Sequence, residues 1–213
     1  MTLETPPLIL SIQSHVAWGH VGNAAAVFPL QRLGFEVLPV HTVQFSNHTG
    51  YGQFRGQVFG ADHIREIIAG LRERGVLQRV SAVLSGYLGD AGTGAVILDA
   101  VGEIRRENPA VRYLCDPVMG DVGRGVFVNP AIPDFLRDQA MPNANIITPN
   151  QFEFELLTGS KPASVAEAVR TARLLRGRGP DTVVVTSLAT PDIAADALGL
   201  SLIHISEPTR LRR

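Results

Sequence analysis

Short apolar runs alternate with longer segments of helical period along most of this chain, and that alternation constrains its fold more than any other feature. Leu8 to Ile12 is an apolar run. A glycine-bearing stretch, "QSHVAWGHVGN", follows it and leads to Asn23, after which Ala26, Val27, Leu30 and Leu33 share one helical face that Gly34 stops. Glu36 to Val40 reads as the next strand, while "HTVQFSNHTGYGQF" has no clean period and is expected to be loop with at most one short strand. Asp62 is expected to cap a helix carrying Ile64, Ile67, Ile68 and Leu71 on one face, with Gly75 just past its end. Ala82 to Leu84 and Ala95 to Arg106 form another strand and helix. "VRYLCDPVMGD" is a strand broken at Pro117, "RGVFVN" a short hairpin, Pro130 to Asp138 a short helix and "NIITPN" a buried strand. Asn150 with Glu153, and Ser164 with Glu167, have capping-box spacing, and "TVVVTSL" is a last strand. Parallel neighbours need a crossover of a dozen or more residues, so the pattern predicts an α/β domain with a mostly parallel central sheet and helices on both faces.

With 19 Lys and Arg against 20 Asp and Glu, no net field invites nucleic acid or an anionic membrane, so the expected partner is a small molecule. Cys115 is the only cysteine and cannot form an internal disulfide. "MTLETPPLILSIQ" lacks the basic and long apolar regions of a signal peptide, and no apolar run reaches the ~18 to 20 residues that span a bilayer. The expectation is a cytoplasmic protein.

Ligands of open parallel sheets bind beyond the carboxyl ends of the strands. Those ends are rich in Gly, Ser, Thr, Asn and acids, and show neither a His/Cys cluster at metal-ligand spacing nor a nucleophile elbow. Asp116 ends a hydrophobic strand and Glu153 lies near a helix start. Two such acids suit a hydrated Mg²⁺ carrying substrate phosphates. Each also has a plainer duty, since Asp-Pro is ordinary turn chemistry and Glu153 sits at the third position of a capping box. "GDVGRG" could be a phosphate-facing flap with Arg124 as its charge, or only a turn. Trp18, Tyr51 and Tyr87 fall in loops at strand ends, where they suit stacking on a flat ring or rim packing.

The runs "ILSIQSHVAWGHVGN", "TVQFSNHTGYG", "LSGYLG", "YLCDPVMGD", "IITPNQFEFELLTG" and "VVVTSL", in this order from about Leu8 to about Leu188, resemble pyridoxal kinases of the ribokinase-like superfamily. The resemblance implies ATP-dependent phosphorylation of the 5′-hydroxymethyl group of pyridoxal. It implies that Ser14 hydrogen-bonds the pyridine ring, that His48, Thr49 and Gly50 lie in the substrate loop, and that Tyr87 lines the same pocket. It places Asp116 and Glu153 by the ATP phosphates and Mg²⁺, Thr148 and Asn150 beside them, and Thr186 facing the nucleotide, where some relatives have lysine. A homodimer and an added monovalent cation are further implications. Hydroxymethylpyrimidine kinase of the same fold is the competing reading, and a protein that binds a B6 vitamer or nucleotide without chemistry is another. "QSHVAWGHVGN" fits the pyridoxal branch better.

Ribokinase-like enzymes carry a Gly-x-Gly-Asp motif that supplies an anion hole and the base for the attacking hydroxyl. The 213 residues contain no such motif: "GYLGD" has the wrong spacing and "VMGD" lacks the first glycine. Residues 1–192 are therefore read as the N-terminal part of the kinase domain, and a polypeptide of these residues is expected to be nearly inactive. Residues 193–213, ending in "LSLIHISEPTRLRR", are expected to be a truncating, unstructured tail foreign to the family; this tail resembles the translation product of sequencing-adapter DNA.

Overall fold

In the computed structural model, residues 6–194, 197 and 199–203 are described. Their elements, in chain order, are β1 (Leu8–Trp18), α1 (Asn23–Arg32), β2 (Glu36–Asn47), β3 (Gly56–Val58), α2 (Ala61–Glu73), β4 (Val80–Ser85), α3 (Thr93–Glu107), β5 (Arg112–Cys115), β6 (Gly120–Asp121), β7 (Gly125–Val126), α4 (Ala131–Phe135), α5 (Met141–Asn143), β8 (Ile146–Ile147), α6 (Gln151–Thr158), α7 (Val165–Arg176), β9 (Thr182–Leu188) and β10 (Gly199–Ile203). None of the described helices is long and apolar enough to cross a membrane.

The chain divides into two compact units. The first comprises residues up to Leu114 together with Asn129–Ile132. Its strands lie in the order β5, β4, β1, β2, β3. β1 pairs in parallel with both β2 and β4, and β3 is added antiparallel to β2. Such an inner strand is covered on both faces, and Leu8, Leu10 and Ile12 are at most 1% exposed. Ile64 and Ile68 of α2 and Val96, Ile97, Ala100, Val101 and Ile104 of α3 supply buried helical faces at the expected spacing. The Tyr113 hydroxyl is buried and paired with Ser85 Oγ at 2.9 Å.

Four expectations for this unit change. β1 runs on to Trp18 through residues read as the loop after Ile12, with His15, Val16 and Trp18 pairing with Gln44, Phe45 and Asn47. β2 continues to Asn47 instead of ending at Val40, because Thr42, Val43 and Phe45 are buried strand positions. A register shift opposite Ser14 breaks their alternation with the preceding residues, which hides the strand in the sequence. Asp62 does not cap α2; Gly60 holds that position and Asp62, in the first turn, pairs with Arg65. Leu33, placed on the inner face of α1, is 74% exposed.

The second unit comprises Cys115–Val128 and the chain from Pro133 onward. β8 pairs in parallel with β9, β10 pairs antiparallel with β9 on its other side, and β6 and β7 form a separate two-residue hairpin. The expected helix at 130–138 is α4 continued by a π-turn (Leu136–Ala140) into α5, which widens the spacing and buries Leu136, Ala140 and Met141. The Asn150 capping box forms in full at the start of α6. At Ser164 only half of one forms: Ser164 Oγ accepts from the Glu167 N–H, but the Glu167 carboxylate accepts from Ala163 instead. The stretch from residue 193, expected to be unstructured, contains β10. Its Ser201, Leu202 and Ile203 pair with Val185, Val184 and Val183, using the edge that β9 would otherwise leave open. Residues 204–213 of the expected tail lie outside the described residues.

Candidate active site

In the second unit the polar residues gather where strands end. Asp116 directly follows β5 and Thr148 directly follows β8; the Thr148 N–H donates to the Cys115 carbonyl at 3.3 Å. This ladder places the two side chains together, and Thr148 Oγ1 donates to Asp116 Oδ1 at 3.1 Å. Burial raises the Asp116 pKa to about 6, opposed by that hydrogen bond.

Glu153 is 3% exposed and both of its oxygens have backbone donors. Oε1 accepts from the Met119 N–H at 3.0 Å, and Oε2 accepts from the Asn150 N–H at 2.9 Å. Burial lifts its pKa to about 7; the amides of Asn150, Met119 and Gly120 oppose this and the charge of Asp116 adds to it. Asn150 is equally committed. Its Oδ1 accepts from the Glu153 N–H at 2.9 Å, and its Nδ2 donates to the Gly120 carbonyl at 2.9 Å. Together they tie the start of α6 to the base of the β6–β7 hairpin. Gly120 is required there, since a β-carbon would meet the Gly125 carbonyl oxygen and the Phe152 ring, each at 2.4 Å. At the hairpin tip Arg124 lies over the Phe127 ring, 5.0 Å from its centroid. Thr186 in β9 bridges to Asn150 and donates its N–H to the Pro149 carbonyl at 2.9 Å. The five residues expected on the nucleotide side therefore form two bonded sets, Asp116 with Thr148 and Asn150 with Glu153 and Thr186, connected through the chain at 148–150.

The donor set discriminates between the two acids. Asp116 is partly accessible and, among the described residues, a side-chain donor reaches only its Oδ1, so it suits a hydrated Mg²⁺ that keeps most of its waters. Glu153 is sealed by its two amides and fits a positioning duty better than that of a direct ligand. No group of three or more metal-ligating side chains occurs among the described residues.

In the first unit, Ser14 is 9% exposed at the register shift in the middle of β1. His48 caps the 3₁₀ turn Thr49–Tyr51: its Nδ1 accepts from the Gly50 N–H at 3.2 Å, and its own N–H donates to the Trp18 carbonyl at 3.0 Å. Trp18 and Tyr51 are exposed, with ring centroids 5.1 Å apart. Tyr87 packs on the cluster of Val16, Val43 and Phe45, its carbonyl accepts from Thr42 Oγ1 at 2.6 Å, and burial raises its pKa. The substrate-side expectations thus fall on three neighbouring strands of this unit, Ser14 within β1, His48, Thr49 and Gly50 just after β2 and Tyr87 just after β4.

A polar group beneath them was missed from the sequence. Ser11, Gln13 and Asn23 are buried and linked: Gln13 Nε2 donates to Ser11 Oγ at 2.9 Å, and Ser11 Oγ donates to Asn23 Oδ1 at 2.7 Å. Ser11 inside the apolar run of β1, and Gln13 directly after it, were the available signal. His41 Nδ1 lies 3.0 Å from Asn23 Nδ2, and its ring is 4.5 Å from that of His15. Burial, and then His15, lower the His41 pKa.

Parallel strands whose carboxyl ends carry an acid, a capped helix start and hydroxyls are the architecture of the ribokinase-like α/β class, and the phosphomethylpyrimidine kinase family model matches residues 65–200. Within that class the resemblance is narrower. The chain is 55% identical over 202 residues to pyridoxal kinase PdxY of Deinococcus radiodurans, covering 93% of this chain and 68% of the relative. It is 57% identical over 184 residues to the protein of the same name from Leifsonia xyli, covering 86% and 65%. The structure of pyridoxal kinase from Leishmania donovani in complex with ADP and pyridoxamine superposes with a TM-score of 0.81 at 36% identity, covering 85% of this chain and 63% of that one. The chain belongs to the pyridoxal kinase family, and it spans about two thirds of the length of these relatives.

Proposed function

We propose that this chain carries the pyridoxal- and nucleotide-binding residues of a kinase that transfers the γ-phosphoryl group of ATP to the 5′-hydroxyl of pyridoxal. The connected group of Asp116, Thr148, Asn150 and Glu153, at strand ends in a chain 55% identical to a pyridoxal kinase, carries this reading. Phosphoryl transfer asks for positioning and charge stabilisation more than covalent chemistry. Mg²⁺ would supply that stabilisation when bound. Asp116 would hold it through one carboxylate and its waters, Thr148 would fix that carboxylate's orientation, and Glu153 would anchor the loop from Met119 to Gly120. Ser14, the turn at His48, Thr49 and Gly50, and Tyr87 would hold the vitamer, and Thr186 would offer the nucleotide a hydroxyl. A monovalent cation and a homodimer complete the family reading.

A polypeptide of these 213 residues supplies binding without efficient turnover, because it contains no Gly-x-Gly-Asp. Loss of a general base costs ~10² to 10⁴ in rate, and loss of an oxyanion-type donor ~10² to 10³. The test is ATP-dependent formation of pyridoxal 5′-phosphate by the purified chain, followed by its absorbance. Turnover within tenfold of a longer family member would overturn the binding-only part. The match to a phosphomethylpyrimidine kinase model favours hydroxymethylpyrimidine as the alternative acceptor, and phosphorylation or tighter binding of that compound would select it.

A further inference from the structure

The pairing of β1 with β2 breaks at Ser14. The strands stay in register to Gln13 opposite His41, and pairing resumes with His15 opposite Gln44. Pairing of β1 with β4 ends earlier, at Ile12 opposite Ser85. A residue outside both ladders needs another support, and bulges beside binding sites are where a side chain is re-aimed.

That support is the start of α1. Gly22 has φ 52° and ψ −133°, a conformation that side-chain-bearing residues avoid. A β-carbon there would come within 2.2 Å of the Ser14 carbonyl oxygen and 2.4 Å of its hydroxyl oxygen. The Gly22 backbone therefore lies directly against both polar groups of Ser14. Asn23, 2% exposed, fixes this contact from behind. Its Oδ1 accepts from Ser11 Oγ of β1 at 2.7 Å, and its Nδ2 donates to the Val40 carbonyl of β2 at 3.0 Å. It thus spans the two strands just before their pairing breaks. Val21 and Ala24, on either side, pack on the Val16, Val43 and Phe45 cluster that also carries Tyr87.

We infer that Gly22 and Asn23 are positioning residues that hold Ser14, and through the shared cluster Tyr87, in the geometry that receives the vitamer ring. The inference rests on the reading of Ser14 as a vitamer contact. Gly22 provides the close approach that no other residue permits, and Asn23 keeps the helix start from drifting away from the strand.

The test compares pyridoxal affinity of the chain with that of Ser14→Ala, Gly22→Ala, Asn23→Ala and the two double variants containing Ser14→Ala. Loss of one hydrogen bond corresponds to roughly two- to tenfold weaker binding. Gly22→Ala and Asn23→Ala are expected to weaken binding at least as much as Ser14→Ala, with each double variant no weaker than its worse single. Gly34→Ala is the control: Gly34 also has a positive φ, 91°, but an added β-carbon meets nothing within 4 Å, so affinity should be unchanged. Hydrogen exchange over residues 12–16 should quicken in Gly22→Ala and Asn23→Ala and stay unchanged in Gly34→Ala. If Gly22→Ala does not fold, Asn23→Ala, which introduces no collision, decides. Additive losses, or unchanged exchange at 12–16, would overturn the inference. Unchanged affinity in Ser14→Ala would instead refute the vitamer role of Ser14, and the exchange comparison would still decide whether α1 holds it.

Discussion

Replacing Glu153 by glutamine should flatten the dependence of stability on pH between 5 and 8. Glu153 is 3% exposed, and burial raises its pKa from 4.5 to about 7 against the pull of three backbone amides. A carboxyl raised in this way favours the fold when protonated. Its contribution is complete below about pH 4.5 and is lost as pH rises through 7. At about 1.4 kcal/mol per pH unit, the change between pH 5 and 8 is on the order of 2 to 3 kcal/mol. Glutamine is neutral throughout and escapes this loss. However, its amide nitrogen cannot accept a bond, so the N–H of either Met119 or Asn150 loses its partner at a cost of ~1 to 3 kcal/mol. The two effects nearly cancel at pH 8, so the slope is the informative quantity and absolute stability is not. Urea unfolding followed by circular dichroism at four pH values, for the chain and for Glu153→Gln, reads that slope. Asp116, raised by burial to about 6, is present in both proteins and tends to cancel. The chain should lose ~2 to 3 kcal/mol more than Glu153→Gln on going from pH 5 to 8. Parallel profiles would show that burial does not outweigh the amide donors at Glu153 and would refute the raised pKa.

Mg²⁺ with ADP should raise the urea midpoint of the chain more at pH 8 than at pH 5, because Asp116, with a pKa raised to about 6, must be ionised to hold the cation; Asp116→Asn should shrink the difference to the part due to protonation of ADP itself. Asn150→Ala removes a helix cap and the bond to the Gly120 carbonyl, so it should cost ~1 to 2 kcal/mol in urea unfolding and speed tryptic cleavage at Arg124. Ser85→Ala removes one hydrogen bond to the buried Tyr113 hydroxyl and should cost ~0.5 to 1.5 kcal/mol in the same assay.

What could be read from the sequence was what neighbouring residues decide. The capping box at Asn150 and Glu153, the burial of Ile97 and Ile104, and the placing of Asp116 at a strand end all follow from spacing along one element. The second half of β2 was hidden because a register shift breaks its period at the point where the strand passes Ser14. The exposed Leu33 shows the limit of a helical wheel: the periodicity marks a face without saying what covers it. β10 escaped because its partner strand, β9, supplies the reason for it to form. In the site, the types of the acids were legible but the two amides that seal Glu153 were not, since Met119 is thirty-four residues away in sequence. The same is true of Asn23, whose hydrogen bonds depend on Ser11 and Val40 meeting it from two strands.

Equilibrium titration of pyridoxal into the purified chain in the presence of Mg²⁺ and ADP tests the central claim most directly. Saturable binding at one vitamer per chain, weakened in Ser14→Ala and displaced by hydroxymethylpyrimidine only at much higher concentration, is the predicted result. Absence of saturation, or preferential binding of hydroxymethylpyrimidine, would contradict it.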